Sequence, residues 1–165
     1  ERFMVKSMDG PWHYQQIDLG YNYRMTDLQA ALGYSQLQRI DEFVRRRHSL
    51  SARYNQSLKD LPVTLPWQDP DTYSAYHLYV IRLHLDQLKK SRRQIFEELR
   101  AAGINVNVHY IPVHTQPYYE RLGFKTGDFP AAEVYYREAI TLPLYYGLSD
   151  EDQDYVVESL QEIIR

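Results

Sequence analysis

Two short stretches of the chain hold side chains that could do chemistry. His109-Tyr110-Ile111-Pro112-Val113-His114 sets two imidazoles and a phenol close together. A rigid ring with a polar tip suits hydrogen bonding to a polar ligand, and loops leaving strands are where scaffolds present such groups. A metal site fits poorly, because the two histidines do not share a helical turn and no carboxylate lies beside them. A packed aromatic loop held by tyrosine hydroxyls is the bland alternative, and it stays open. The second stretch, Gly20-Tyr21-Asn22-Tyr23-Arg24-Met25, lies just ahead of a helix start. Backbone amides, the positive helix end and Arg24 suit an anion such as phosphate. Local chemistry by itself favours a hinge with Asn22 in a turn.

The elements that must position these groups can be read from pattern. Residues 1–20, punctuated by Asp9-Gly10-Pro11 and Gly20, read as loop with one short extended piece. Thr26 with Gln29 forms a capping box, and Leu28, Leu32, Leu37, Ile40, Val44, Ser51, Tyr54 and Leu58 follow at helical spacing. One long helix from about Thr26 to Leu58 is expected. Gly33 inside it, costing about 1 kcal/mol relative to alanine, marks a bend or a close helix contact. Arg45-Arg46-Arg47 reads as a solvated face, and His13, His48, His77 and His84 read as isolated structural residues.

Beyond a proline-punctuated connection, Tyr76, Leu78, Val80 and partners to Leu85 read as a strand rich in aromatic and branched residues, and Ser91 with Gln94 opens a helix that stops at Gly103. Ile104, Val106 and Val108 alternate with asparagines, as in a half-buried strand. Pro130 starts a helix to about Glu138, and Ile140 to Leu144 is a short strand at an edge or strand end. Ser149 begins a last amphipathic helix. The expected fold class is α/β (α+β): a long helix leading into a three- or four-stranded sheet with helices on one face. The expected divisions are residues 1–25, a connecting helix over 26–60, and a small domain over 61–165.

Composition narrows the function classes. At 165 residues with 44% hydrophobic and 25% charged content, the chain suits one globular domain, ordinary except for its 16 tyrosines. There is no cysteine, which excludes disulfide frameworks, thiolate metal sites and cysteine nucleophiles, and fits a reducing compartment. A formal charge of -3 gives a nucleic-acid surface no support. No apolar run approaches the roughly 18 residues that span a bilayer. No nucleophile elbow, phosphate-binding loop or dinucleotide fingerprint is present. The expectation is a chain without nucleic-acid or membrane partners and without a metal.

Three strings, GYNYRMTDLQAALG, VHYIPVHTQPYYERLGFKTGDFPAAE and LPLYYGLSDEDQDYVVESL, resemble the sugar aminotransferases of the DegT/DnrJ/EryC1/StrS family, in order and over nearly the whole chain. Within it, the HYIPVHTQPYY form most resembles the pseudaminic acid branch. The resemblance implies the C-terminal part of a fold type I, cytoplasmic homodimer that uses pyridoxal 5'-phosphate (PLP). It implies transfer of an amino group from glutamate to the C4 ketone of a UDP-4-keto-6-deoxy-N-acetylhexosamine. A perosamine-type keto-sugar enzyme, or a non-enzymatic dimerisation module, is the alternative. By the same resemblance Asn22 reaches the partner's cofactor phosphate, Arg24 meets a substrate or cofactor anion or holds its loop, and His109, Tyr110, His114 and Tyr118 line the nucleotide-sugar pocket. The lysine forming the Schiff base is expected before Glu1. None of Lys6, Lys59, Lys89, Lys90 and Lys125 sits in the apolar, partnered setting that imine chemistry needs. The chain by itself is expected to be inactive, and to self-associate through apolar surface the missing domain would cover.

Overall fold

The computed structural model describes residues 21 and 23–165, together with the backbone of Met4–Lys6 and Tyr14–Gln16. Those residues divide into two compact units, Glu1–Arg39 and Ile40–Arg165. The first contains an antiparallel pair, β1 (Met4–Lys6) and β2 (Tyr14–Gln16), and the helix α1 (Asp27–Leu37). Thr26 caps α1 as its sequence demands: its side chain accepts from the Gln29 amide while the Gln29 side chain accepts from the Thr26 amide at 2.9 Å.

The second unit runs through α2 (Ile40–Leu58), β3 (Val63–Thr64), β4 (Tyr79–Leu83), α3 (Arg92–Ala101), α4 (Pro117–Glu120), α5 (Pro130–Glu138), β5 (Ala139–Leu142) and α6 (Asp150–Ile164). Its sheet has the order β3-β4-β5, antiparallel throughout, with Ile81 opposite Ile140 and Tyr79 opposite Leu142. Alternation along β4 puts Tyr79, Ile81 and Leu83 on the buried face. Against that face pack Leu50, Tyr54 and Leu58 of α2, Ile95 and Leu99 of α3, and Val156, Leu160 and Ile164 of α6. The mixed architecture expected from the sequence, a small sheet with helices against one face, is the one found. Pro143 falls just past the end of β5, where it removes no ladder bond.

The single helix expected from Thr26 to Leu58 is two helices separated by a turn at Gln38 and Arg39. The pattern contains the reason. Leu32 to Leu37 is a five-residue step, which rotates the apolar stripe by roughly 140° rather than keeping it on one face. α1 buries none of its residues, whereas α2 buries Leu50, Ser51, Tyr54 and Leu58. α2 is therefore built into the second unit rather than standing apart as a connector. Gly33 shows no close contact: a Cβ there would meet nothing within 4 Å among the described residues.

Two further expectations give way to tertiary contacts. The arginine run is not simply a solvated face, since Arg46 donates to the Leu148 carbonyl at 2.5 Å and to Asp150 at 2.9 Å. His48 is not isolated, because its Nε2 donates to the Ser74 carbonyl at 2.7 Å and its ring stacks on Tyr73. Likewise His84 Nε2 lies 2.8 Å from the Thr64 hydroxyl. His13 lies outside the described residues.

The strand expected at 104–108 keeps its alternation without its ladder. Ile104 and Val106 are buried and Asn105 and Asn107 exposed, yet a single bridge joins Asn107 to Thr141 of β5. The Val106 amide donates to the Ile104 carbonyl, and the Asn107 side chain captures the Val108 amide at 2.8 Å. Both donors are thereby withdrawn from the sheet.

Candidate functional site

The segment that follows this bridge carries four of the six sequence-derived site residues. His109 is tied back to the sheet, its Nδ1 2.9 Å from the Thr141 hydroxyl. It lines a cleft of about 440 Å³ that also includes Phe96, Arg100, Asn105 and Asn107. Tyr110 and Tyr118 stand out from the surface, 66% and 60% exposed. The Tyr118 ring meets Tyr119 edge-on and lies under the Arg121 guanidinium. A short 3₁₀ turn over Val113–Thr115 and the single-turn α4 shape the chain between them.

His114 differs from its neighbours. It is 7% exposed and its Nε2–H donates to Glu133 Oε1 at 2.9 Å. The same oxygen accepts the Gly127 amide at 2.6 Å. The Phe129 ring packs against the imidazole with centroids 4.9 Å apart, and the Phe124 and Phe129 rings lie 6.2 Å apart. The Gly127 amide, His114 and the Phe129 amide hold the Glu133 carboxyl below the usual carboxylate range. Glu133 escaped the residue-by-residue reading because it lies 19 positions from its histidine. The one available signal was its place in the GDFPAAE string.

Asn22 lies outside the described residues. Arg24 is exposed and belongs to the first unit, so it is described by itself. The arrangement in the second unit is a surface of rings and donors anchored by buried His114 on the half-buried Glu133 carboxylate. Such a surface can bind and orient a polar ligand. It contains no nucleophile with a base beside it, and among the described residues no three His, Asp or Glu side chains converge as a metal site would need. No helix among those residues is long and apolar enough to cross a membrane.

The sequence profile of the DegT/DnrJ/EryC1/StrS aminotransferase family matches residues 2–161. This chain belongs to that family. Spore coat polysaccharide biosynthesis protein SpsC of Bacillus subtilis is 38% identical over 162 residues, which is 96% of this chain and 42% of SpsC. Spr1654 of Streptococcus pneumoniae, solved in its PMP form, superposes with a TM-score of 0.88 at 32% identity, covering 98% of this chain and 42% of that one. PseC of Helicobacter pylori, an aminotransferase involved in the biosynthesis of pseudoaminic acid, gives 0.87 at 28% identity, covering 98% and 43%. The chain thus spans less than half the length of these relatives. They place the fold among those of the sugar aminotransferases.

An aminotransferase of this family implies a pyridoxal cofactor; Spr1654 is also solved in a PLP form. The described lysines do not fit as its imine partner. Lys59, Lys89 and Lys125 are exposed, and Lys90 donates to Glu98 at 2.6 Å. An imine lysine needs an apolar pocket that depresses its pKa, and none of these has one. The side chain of Lys6 lies outside the described residues.

Proposed function

We propose that this chain is the small-domain part of a PLP-dependent nucleotide-sugar aminotransferase, working as a cytoplasmic homodimer. The reading assigns glutamate as amino donor and the C4 ketone of a UDP-4-keto-6-deoxy-N-acetylhexosamine as acceptor, as in the pseudaminic acid branch. The family match over residues 2–161 carries it. The likeness of the HYIPVHTQPYY segment supports the choice of acceptor, and Tyr110 and Tyr118 stand exposed there to meet a ligand. In this reading the chain shapes the sugar side of the pocket: Tyr110, Tyr118 and His109 contact the nucleotide sugar, and Arg24 and Asn22 meet anionic groups. The lysine that binds the cofactor is assigned to sequence outside these 165 residues.

Two experiments test this. The full-length protein, assayed with glutamate and UDP-, GDP- and dTDP-linked 4-keto-sugars, should aminate the UDP-linked acceptor best. Preference for a GDP-linked sugar would move it to the perosamine type, and turnover of none would leave a binding module. Separately, the 165-residue chain titrated with PLP and reduced with borohydride should show no lysine adduct by intact mass. A stoichiometric adduct would contradict the assignment of the imine lysine.

A further inference from the structure

We infer that Glu133 is a positioning residue which, through His114, sets the shape of the 110–127 segment and with it the affinity for the sugar acceptor; this rests on the reading of that segment as substrate-facing. The geometry joins three segments through one carboxylate oxygen that accepts two donors. Glu133 Oε1 accepts from His114 Nε2 at 2.9 Å and from the Gly127 amide at 2.6 Å, while Glu133 itself is fixed in the first turn of α5. One side chain therefore ties the 3₁₀ turn at 113–115, the turn at Gly127 and the helix leading into β5. Gly127 sits at φ +99°, a conformation suited to glycine, so its amide is aimed by backbone that few other residues could adopt.

The segment needs such a junction because it has little structure of its own. Its backbone bonds are local: Thr115 to Pro112, Gln116 to Val113, Tyr119 and Glu120 to Gln116, Leu122 to Tyr119 and Phe124 to Tyr119. Bonds over three to five residues fix turns but do not place one turn against another. That placement falls to the carboxylate and to the ring contacts of His114 and Phe124 with Phe129. Tyr118 lies between the two tied turns, so its direction follows from theirs. With His114 buried, breaking the junction strands a donor away from water, and the segment relieves this by opening.

Reach is what places the junction, because His114 and Gly127 meet one oxygen, and the charge strengthens those bonds without setting where they meet. Glu133→Gln keeps an oxygen at the right distance. Glu133→Asp keeps the charge near the start of α5 but withdraws the oxygen by about 1.5 Å, one carbon–carbon bond. The test uses the full-length protein and these two variants with Glu133→Ala. Amide hydrogen exchange at Gly127 should quicken by about 10- to 100-fold in Asp and Ala and by far less in Gln. The KM for the nucleotide keto-sugar should rise about tenfold in Asp and Ala, with kcat and the glutamate half-reaction changed far less, and Gln should restore it. Unchanged exchange in Asp would overturn the proposal, as would faster exchange with an unchanged KM. If Ala gives no folded protein, the opposed behaviour of Asp and Gln still decides. A wild type that turns over no keto-sugar would sink the functional reading instead, and the exchange comparison would then decide whether the carboxylate shapes the segment.

Discussion

Gln153 offers a test of how the second unit is held together. It lies on the inner side of α6 with 0% exposure, and its Nε2 donates to the Leu50 carbonyl of α2 at 2.8 Å. Its Oε1 finds no donor among the described residues. The Leu50 carbonyl lies within α2, so the helix supplies it with the Tyr54 amide as well. Replacing Gln153 with methionine nearly conserves volume and flexibility. It removes one neutral hydrogen bond worth about 1 kcal/mol and an unpaired buried carbonyl that costs about 1–3 kcal/mol. The balance is a protein equal in stability or up to about 2 kcal/mol more stable. Gln153→Ala should go the other way by about 1–3 kcal/mol, because it leaves a cavity between α2 and α6. Urea unfolding followed by circular dichroism would measure both. In a domain of this size each kcal/mol moves Tm by about 2–4 °C. A methionine variant destabilised by more than about 1.5 kcal/mol would refute the reasoning, because the oxygen would then be partnered and the amide needed at both ends.

Two other outcomes follow from single features. Asp150 is held below the usual carboxylate range by the hydrogen bond from Arg46, with the charges of Arg46 and Arg53 adding to it. A depressed folded pKa contributes stability above the unfolded value near 4 and loses it as pH falls through the lowered one. Asp150→Asn should therefore flatten the acid limb of the stability curve below about pH 4 while leaving the shape above pH 6 alone; an unchanged acid limb would mean the pairs are worth nothing in solution. Gly33, in a helix with open space around it, should accept alanine with a gain of about 0.5–1 kcal/mol in α1. Faster amide exchange in α1 of Gly33→Ala would show that the glycine answers a close contact.

The parts of this chain legible from sequence share a physical trait: their cause is local. The capping boxes at Thr26 and Ser91, the Ser149 cap, the proline that opens α5 and the glycine past α3 each act within a few residues. The strand at Tyr79–Leu83 is likewise legible from its aromatic and branched residues, but its core face is not: the buried side is Tyr79, Ile81 and Leu83, not Leu78 and Val80. Where the deciding partners are distant in sequence, a local pattern does not reveal them. Ile104 and Val106 were buried as their alternation implied, but whether a ladder formed depended on Asn107 and on Thr141, far along the chain. The arginine run looked solvated because its partners, Leu148 and Asp150, lie about a hundred residues on.

The candidate site divides along the same line. Tyr110 and the two histidines stand out by type and clustering, while Tyr118 and the chemistry of all four come from the long family motifs. What no spacing could convey is that His114 points inward to Glu133 while Tyr110 and Tyr118 point out. The sequence by itself determined the helix starts, the alternation at 104–108, the family and which segment holds the polar rings, because propensity, capping and alternation act over a few bonds. Tertiary structure alone decided that α2 joins the core while α1 buries nothing, and that one carboxylate oxygen gathers residues 114 and 127. Those outcomes rest on desolvation and on donors meeting acceptors across long stretches of chain, and such energies exist only once the chain has closed on itself.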